Sequence, residues 1–148
     1  MEPGTLAPDF TLTSDTGEQV SLSQFRGHKV VLYFYPKADT PGCTAQACAV
    51  RDAFPQITEK DVIVIGISPD SPEALRKFRA RHNLPFILLS DPDFAVAKAY
   101  GAAGEKTLFG KKSYGIIRSH FAIDEAGRLS AGELRVNPLK TAELALKL

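Results

Sequence analysis

The chain has 148 residues, 44% of them hydrophobic and 24% charged, with 18 Lys and Arg against 17 Asp and Glu. That length and balance fit one globular domain spanning 1–148, with enough apolar residues to build a core without metal or disulfide staples. The near-zero net charge excludes a global attraction to nucleic acid or to an anionic membrane surface.

The first residues, Met1-Glu-Pro-Gly-Thr-Leu-Ala-Pro8, hold neither a basic n-region nor an apolar h-region, so no secretory signal is expected here. No apolar run approaches the ~20 residues of a membrane helix. The longest, Val62 to Ile67, suits a buried strand. These features point to a reducing cytoplasm. Two cysteines there are rarely a static staple; they are free thiols, a metal pair or a redox couple.

In chain order, Asp9 to Ser14 and Gln19 to Ser23 flank Asp15-Thr-Gly17 and predict a β-hairpin. Val30 to Tyr35 is a continuous β-branched and aromatic run stopped by Pro36, as in a central strand buried on both faces. A helix is expected from near Gly42 to beyond Phe54, then a second central strand over Val62–Ser68. Ser71 and Pro72 predict an N-cap and first position, with Leu75 and Phe78 on the apolar side of the helix they open. Its basic stretch, Arg76 to Arg81, reads as a solvated face. Phe86–Leu89 predicts a short strand and Phe94–Tyr100 a short helix. Gly101 to Gly115 reads as a long loop. Ile116–Ile123 and Arg128–Val136 predict a hairpin, and Pro138–Leu148 a closing helix with Leu139, Leu144 and Leu148 on one side. This order predicts an α/β fold: a central mixed sheet flanked by helices, in the thioredoxin-like arrangement, with an N-terminal β-hairpin extension.

The chemistry concentrates between Tyr35 and Cys48. A buried strand ends at Pro36, a short loop follows, and a helix starts under Cys43. Open α/β sheets bind ligands beyond the carboxyl ends of their strands. A thiol in a first helical turn also meets unpaired N–H groups and the positive end of the helix dipole, which favour a thiolate. Thiolate formation alone raises the reactive species of an ordinary thiol by at most tens-fold at pH 7. A fast reaction with a peroxide also needs donors and a cation that stabilise the breaking O–O bond. Thr40 offers a hydroxyl, and Gly42 and Cys43 offer backbone amides; the cation must come from elsewhere in the chain.

Pro36-x-x-x-Thr40-x-x-Cys43 resembles the active-site signature of the peroxiredoxins. The longer Thr40-Pro-Gly-Cys-Thr44 with Cys48 is similar to the Q-type, or bacterioferritin-comigratory-protein-type, atypical two-cysteine subfamily. The resemblance extends to Ala7-Pro8-Asp9-Phe10-x-Leu12, Ile65-Gly66-Ile67-Ser68, Leu89-Ser90-Asp91 and Tyr100-Gly101. It also covers Gly115-Ile-Ile-Arg118-x-x-Phe121-x-Ile123-Asp124, which matches the strand that carries the family's arginine. Ser119-His120 departs from the family's usual residues there. The resemblance implies that Arg118 is the missing cation and that Pro36, Thr40 and Gly42 complete the site. It implies a thiol-dependent peroxidase acting on hydrogen peroxide and organic hydroperoxides. Cys43 would be the peroxidatic residue, oxidised to a sulfenic acid, and Cys48 the resolving one, closing an intramolecular disulfide with it. A thioredoxin-type reductant would recycle that disulfide. The family uses no cofactor or metal for this chemistry, and the subfamily points to a monomer.

If both cysteines lie on one regular helix, their Cα atoms are roughly 8–9 Å apart, beyond the ~7 Å that a disulfide spans. The helix would therefore have to unwind locally, and Ala45, Ala47 and Ala49 offer few bulky anchors against that. Other readings stay open at this point: a redox-responsive binding protein using the same disulfide as a switch, or a thioredoxin-like disulfide reductase. The latter would leave Thr40 and Arg118 idle and lacks Cys-x-x-Cys. A zinc site would need His28, His82 or His120, whose spacing is not that of a zinc motif. Gly104 to Ser113 resembles a phosphate loop, but its glycine spacing is one too long and no parallel strand precedes it, so nucleotide binding is rejected. Glu105, Lys106 and Lys111 are candidates for the rim of the site.

Overall fold

Strand β3 (Lys29–Phe34) is apolar from Val30 onward because it has neighbours on both sides and cover on both faces. The computed structural model describes residues 1–148, apart from the side chain of Leu108. β3 pairs in parallel with β4 (Val62–Ser68), and β4 in parallel with β5 (Ile87–Ser90). Helices α1 (Pro41–Glu59) and α2 (Pro72–His82) make the two crossovers. The N-terminal hairpin, β1 (Thr11–Ser14) and β2 (Gln19–Ser21), extends the sheet beyond β5, with β1 antiparallel to it. A short helix α3 (Ala95–Ala99) precedes β6 (Ala103–Leu108) and β7 (Lys111–Ile116). On the far side β8 (Ser119–Ile123) pairs antiparallel with β3, and β9 (Leu129–Leu134) closes the order β2-β1-β5-β4-β3-β8-β9. Helix α4 (Lys140–Leu146) ends the chain.

Strand side chains alternate between faces. Val30, Leu32 and Phe34 join Ile65, Ile67, Tyr100 and Phe121 in one core, covered by α3 and the N-terminal residues. Val31, Tyr33 and Tyr35 join Cys43, Ala47, Val50, Leu75 and Phe78 in the other, beneath α1, α2 and α4. The expected elements through residue 100 form, except that the second hairpin strand stops at Ser21 and Leu22–Phe25 is a turn of 3-10 helix. Ser71 caps α2, its hydroxyl accepting from the Ala74 amide at 3.1 Å, and Pro72 takes the first position. The side-chain carboxylate of Asp15, 3% exposed, accepts two hydrogen bonds from Arg79 at 2.6 and 3.0 Å. The basic stretch of α2 is therefore only partly a solvated face: Arg79 fastens the hairpin turn to the helix, and Arg81 pairs with Asp39 at 3.1 Å.

Three expectations need correcting. Residues 101–115 are no loop; they belong mostly to a separate two-stranded hairpin, β6 with β7. Polar residues fill both faces of these strands, so no alternation announces them, and the turn at Phe109-Gly110 has positive φ at both positions (52° and 76°). The expected strand Ile116–Ile123 is broken: β7 ends at Ile116, β8 begins at Ser119, and Ile117 and Arg118 fall between. In α4 the buried residues are Thr141, Ala142 and Ala145, whereas Leu139 is 54% exposed. Small residues let α4 approach α1 closely; of the expected leucines, Leu148 packs against the core and Leu144 is partly buried, while Leu139 faces outward.

Candidate active site

Tyr35 extends β3 by one backbone bond, its N–H donating to the Ile67 carbonyl at 3.1 Å, and the half-buried Pro36 then ends the pairing. The following loop is pinned from two sides. The Asp70 carboxylate accepts from the Ala38 amide and the Ser68 hydroxyl, both at 2.8 Å. Asp39, at a left-handed φ of 64°, holds Arg81 and His82 at 3.1 Å each. This anchored loop delivers Thr40 to the N-cap position of α1 and Cys43 to its first turn.

Thr40 does not cap the helix with its side chain. Its hydroxyl donates to the Lys37 carbonyl at 2.6 Å, which commits the hydroxyl hydrogen and leaves the oxygen as an acceptor. The amides of Gly42 and Cys43 have no partner within the helix by virtue of their position. Cys43 is 1% exposed and Cys48 half-buried; both are free thiols on one unbroken helix. Regular helical geometry keeps them roughly 8–9 Å apart at Cα, too far for a disulfide without backbone movement.

Arg118 comes from the break between β7 and β8, where it is not held to the strand pleat. Its Nη2 donates to the Cys43 Sγ at 3.4 Å, and its Nη1 donates to Gln46 Oε1 at 2.6 Å. Gly42 makes this approach possible. A Cβ at that position would lie 3.0 Å from Nη2 of Arg118.

Gln46 went unnoticed in the sequence. It is 0% exposed, and its Nε2 donates to the Thr141 hydroxyl of α4 at 3.0 Å. The available signal was a polar residue on the stripe Cys43, Gln46, Ala47, Val50, where every other member is an apolar or thiol side chain. Beside the three alanines, which offer few bulky anchors, Gln46 thus adds a buried polar tie to this turn.

Below the thiol lie two buried phenols. Burial pushes the Tyr33 pKa well up, and the neighbouring Tyr35 and Cys43 reinforce this, so Tyr33 stays a neutral phenol. A cleft of about 740 Å³ opens beside Arg118, lined by Glu105, Lys106, Thr107, Ser113, Ile117 and Arg135. Burial, with the Arg118 charge added, pulls the Lys106 ammonium below its ordinary range. Glu105 and Lys106 thus stand at the rim as expected, while Lys111 does not line the cleft. The three histidines lie apart: His28 faces Asp61, His82 faces Asp39, and His120 is buried in β8.

The sequence pattern of the AhpC/TSA family matches residues 3–131, a span containing both cysteines and Arg118. The chain belongs to this family; it is a peroxiredoxin. It is 52% identical over 131 residues to a putative peroxiredoxin Bcp of Coxiella burnetii, covering 88% of this chain and 87% of that one. It is 50% identical to peroxiredoxin Bcp of Bacillus subtilis over 129 residues, 87% of this chain and 82% of the relative. A cysteine-to-serine variant of Xylella fastidiosa PrxQ superposes with a TM-score of 0.91 at 30% identity, over 99% of this chain and 94% of that one. The bacterioferritin comigratory protein of Xanthomonas campestris superposes with a TM-score of 0.90, over 99% and 96%. The peroxiredoxin is accordingly of the Bcp or Q type, has the thioredoxin-like fold of that group, and is a peroxidase, an oxidoreductase. Among its described residues no helix is long and apolar enough to cross a membrane.

Proposed function

We propose that this peroxiredoxin reduces hydrogen peroxide and organic hydroperoxides through a two-cysteine cycle. The Cys43 thiolate attacks one peroxide oxygen, forming the S–O bond as the O–O bond breaks. Cys43 becomes a sulfenic acid, and the alkoxide or hydroxide released takes up a proton to leave as alcohol or water. Arg118 stabilises the negative charge spreading over both oxygens. The Gly42 and Cys43 amides donate to them, the Thr40 oxygen accepts from the peroxide hydroxyl, and Pro36 contributes to the substrate-binding surface. The Cys48 thiol then attacks the sulfenic sulfur, giving the Cys43–Cys48 disulfide and one water. A thioredoxin-type dithiol reduces the disulfide and is itself oxidised. Residues 1–148 act as one domain, a monomer in the cytoplasm, where reducing equivalents sustain the cycle.

The observation that carries this reading is the 3.4 Å approach of a guanidinium to a buried thiol in the first turn of α1. Organic substrates are favoured by the room in the adjacent cleft and by the alkyl peroxide reduction activity named for the Xanthomonas relative. Mass spectrometry after one equivalent of peroxide tests the cycle. The wild type is expected to lose the mass of two hydrogens as the disulfide closes. Cys48→Ser should gain one oxygen, and Cys43→Ser should remain unchanged. Rapid oxidation of Cys43→Ser would reverse the two roles.

A further inference from the structure

We infer that the C-terminal helix α4 is a clasp on the active site, with Thr141 a positioning residue that acts through Gln46 on Arg118. The inference rests on the cycle proposed above and extends it beyond residue 131, where the family match ends.

An unbroken line of hydrogen bonds runs from α4 to the nucleophile. Gln46 Nε2 donates to Thr141 Oγ1 at 3.0 Å, Arg118 Nη1 donates to Gln46 Oε1 at 2.6 Å, and Arg118 Nη2 donates to Cys43 Sγ at 3.4 Å. The direction of each bond is fixed. A guanidinium can only donate, so the carboxamide must turn its oxygen to Arg118 and its NH₂ to Thr141. Thr141 must therefore accept. Gln46 and Thr141 are both 0% exposed, so neither has water as a substitute partner.

Gln46 also stands between the two sulfurs on α1, three residues after Cys43 and two before Cys48. Unwinding this turn to join the cysteines carries Gln46 away from both partners at once. Arg118 loses its support, and α4 loses its buried polar tie to α1. What remains to hold this seven-residue helix is the small side chains of Ala142 and Ala145 with the partly buried Leu144 and, just beyond its end, Leu148, since Leu139 and Leu146 are exposed. Docked, α4 favours the wound helix and a fixed guanidinium, which is the form that attacks peroxide. Released, it permits the disulfide. Thr141 thereby sets how long the sulfenate waits. During that wait a second hydroperoxide can oxidise it to a sulfinate, leaving as the alcohol.

The test has two parts. In the wild type, hydrogen exchange is compared before and after stoichiometric oxidation. The amides of residues 140–146 are expected to lose protection together with those of 41–50; equal protection of α4 in both states overturns the inference. This measurement needs no variant, so it decides even where a substitution impairs folding. Second, Thr141→Val should slow sulfenate formation and raise the ratio of disulfide to sulfinate at fixed peroxide about tenfold, as when a buried donor loses its acceptor. Thr141→Ser should restore both. A Thr141→Val ratio equal to wild type overturns the clasp while leaving the two-cysteine cycle intact. A wild type that forms no Cys43–Cys48 disulfide at all removes the cycle and this inference with it.

Discussion

Arg118 Nη2 lies 3.4 Å from the Cys43 sulfur, while the other terminal nitrogen of the same guanidinium is held by Gln46. The fork keeps one arm fixed and aims the other. An ammonium is a single point and cannot do both. Arg118→Lys is expected to lower the rate constant of sulfenate formation by roughly 10²–10³, the usual effect of losing one aligned donor at developing negative charge. Stopped-flow oxidation under single-turnover conditions measures it. A loss below threefold would remove Arg118 from transition-state stabilisation.

Gly42 touches the same guanidinium from the helix side. Adding a Cβ 3.0 Å from Nη2 forces Arg118 to shift by a few tenths of an ångström or to turn. Gly42→Ala is expected to slow peroxide reduction by roughly tenfold, since small misplacements at a reacting centre are costly. Melting temperature should change little. An unchanged rate would mean that the arginine has slack.

Gly66 serves packing instead of chemistry. A Cβ there would meet the hydroxyl and Cζ of Tyr33 at 3.0 Å, and Tyr33 is fully buried between β4 and α1. Gly66→Ala should destabilise the fold by about 2 kcal/mol, as overpacking of a filled core does. Urea titration reads this directly, and a neutral result would show that the Tyr33 ring can move aside.

The ion pair of Asp15 with Arg79 joins the first hairpin to α2, and Asp15 is almost wholly enclosed. Asp15→Ala leaves a half-buried guanidinium without its carboxylate. The expected cost is about 3 kcal/mol, typical of removing one partner of an enclosed pair. Double substitution of Asp15 and Arg79 should recover part of it in a thermodynamic cycle.

His120 gives the fold a defined acid sensitivity. Burial pushes its pKa from the ordinary 6.5 down to about 4. The unfolded chain therefore takes up this proton at a higher pH than the folded one. The associated stability is complete above pH 6.5 and declines as pH falls toward 4, for a total of about 3 kcal/mol at about 1.4 kcal/mol per pH unit. Urea midpoints measured across that interval should show the slope, and His120→Leu should flatten it. A wild-type slope equal to that of the variant would contradict the assignment.

The sequence was most legible where local chemistry and burial agree. Val30–Tyr35 and Val62–Ser68 are apolar on both faces because they become inner strands, and Ser71-Pro72 carries its own capping chemistry. Thr40, Gly42, Cys43 and Cys48 fall within nine residues, so their common location was readable from a strand, a loop and a helix start. The hairpin of β6 and β7 was not, because strands with polar residues on both faces have no period to detect. The packed face of α4 was legible only in part, through Leu144 and Leu148, for a related reason: its alanines and threonine gain their weight only from the nearness of α1.

By itself the sequence determined that a cysteine would open a helix at the end of a buried strand, since the run of β-branched residues, the proline stop and the helix signals are all local. Only the tertiary structure decided which groups surround that cysteine. Arg118 arrives from 75 residues away and Thr141 from beyond the family match, and both meet at Gln46. Hydrogen bonding across such separations depends on how the sheet and helices pack, and no local propensity encodes it.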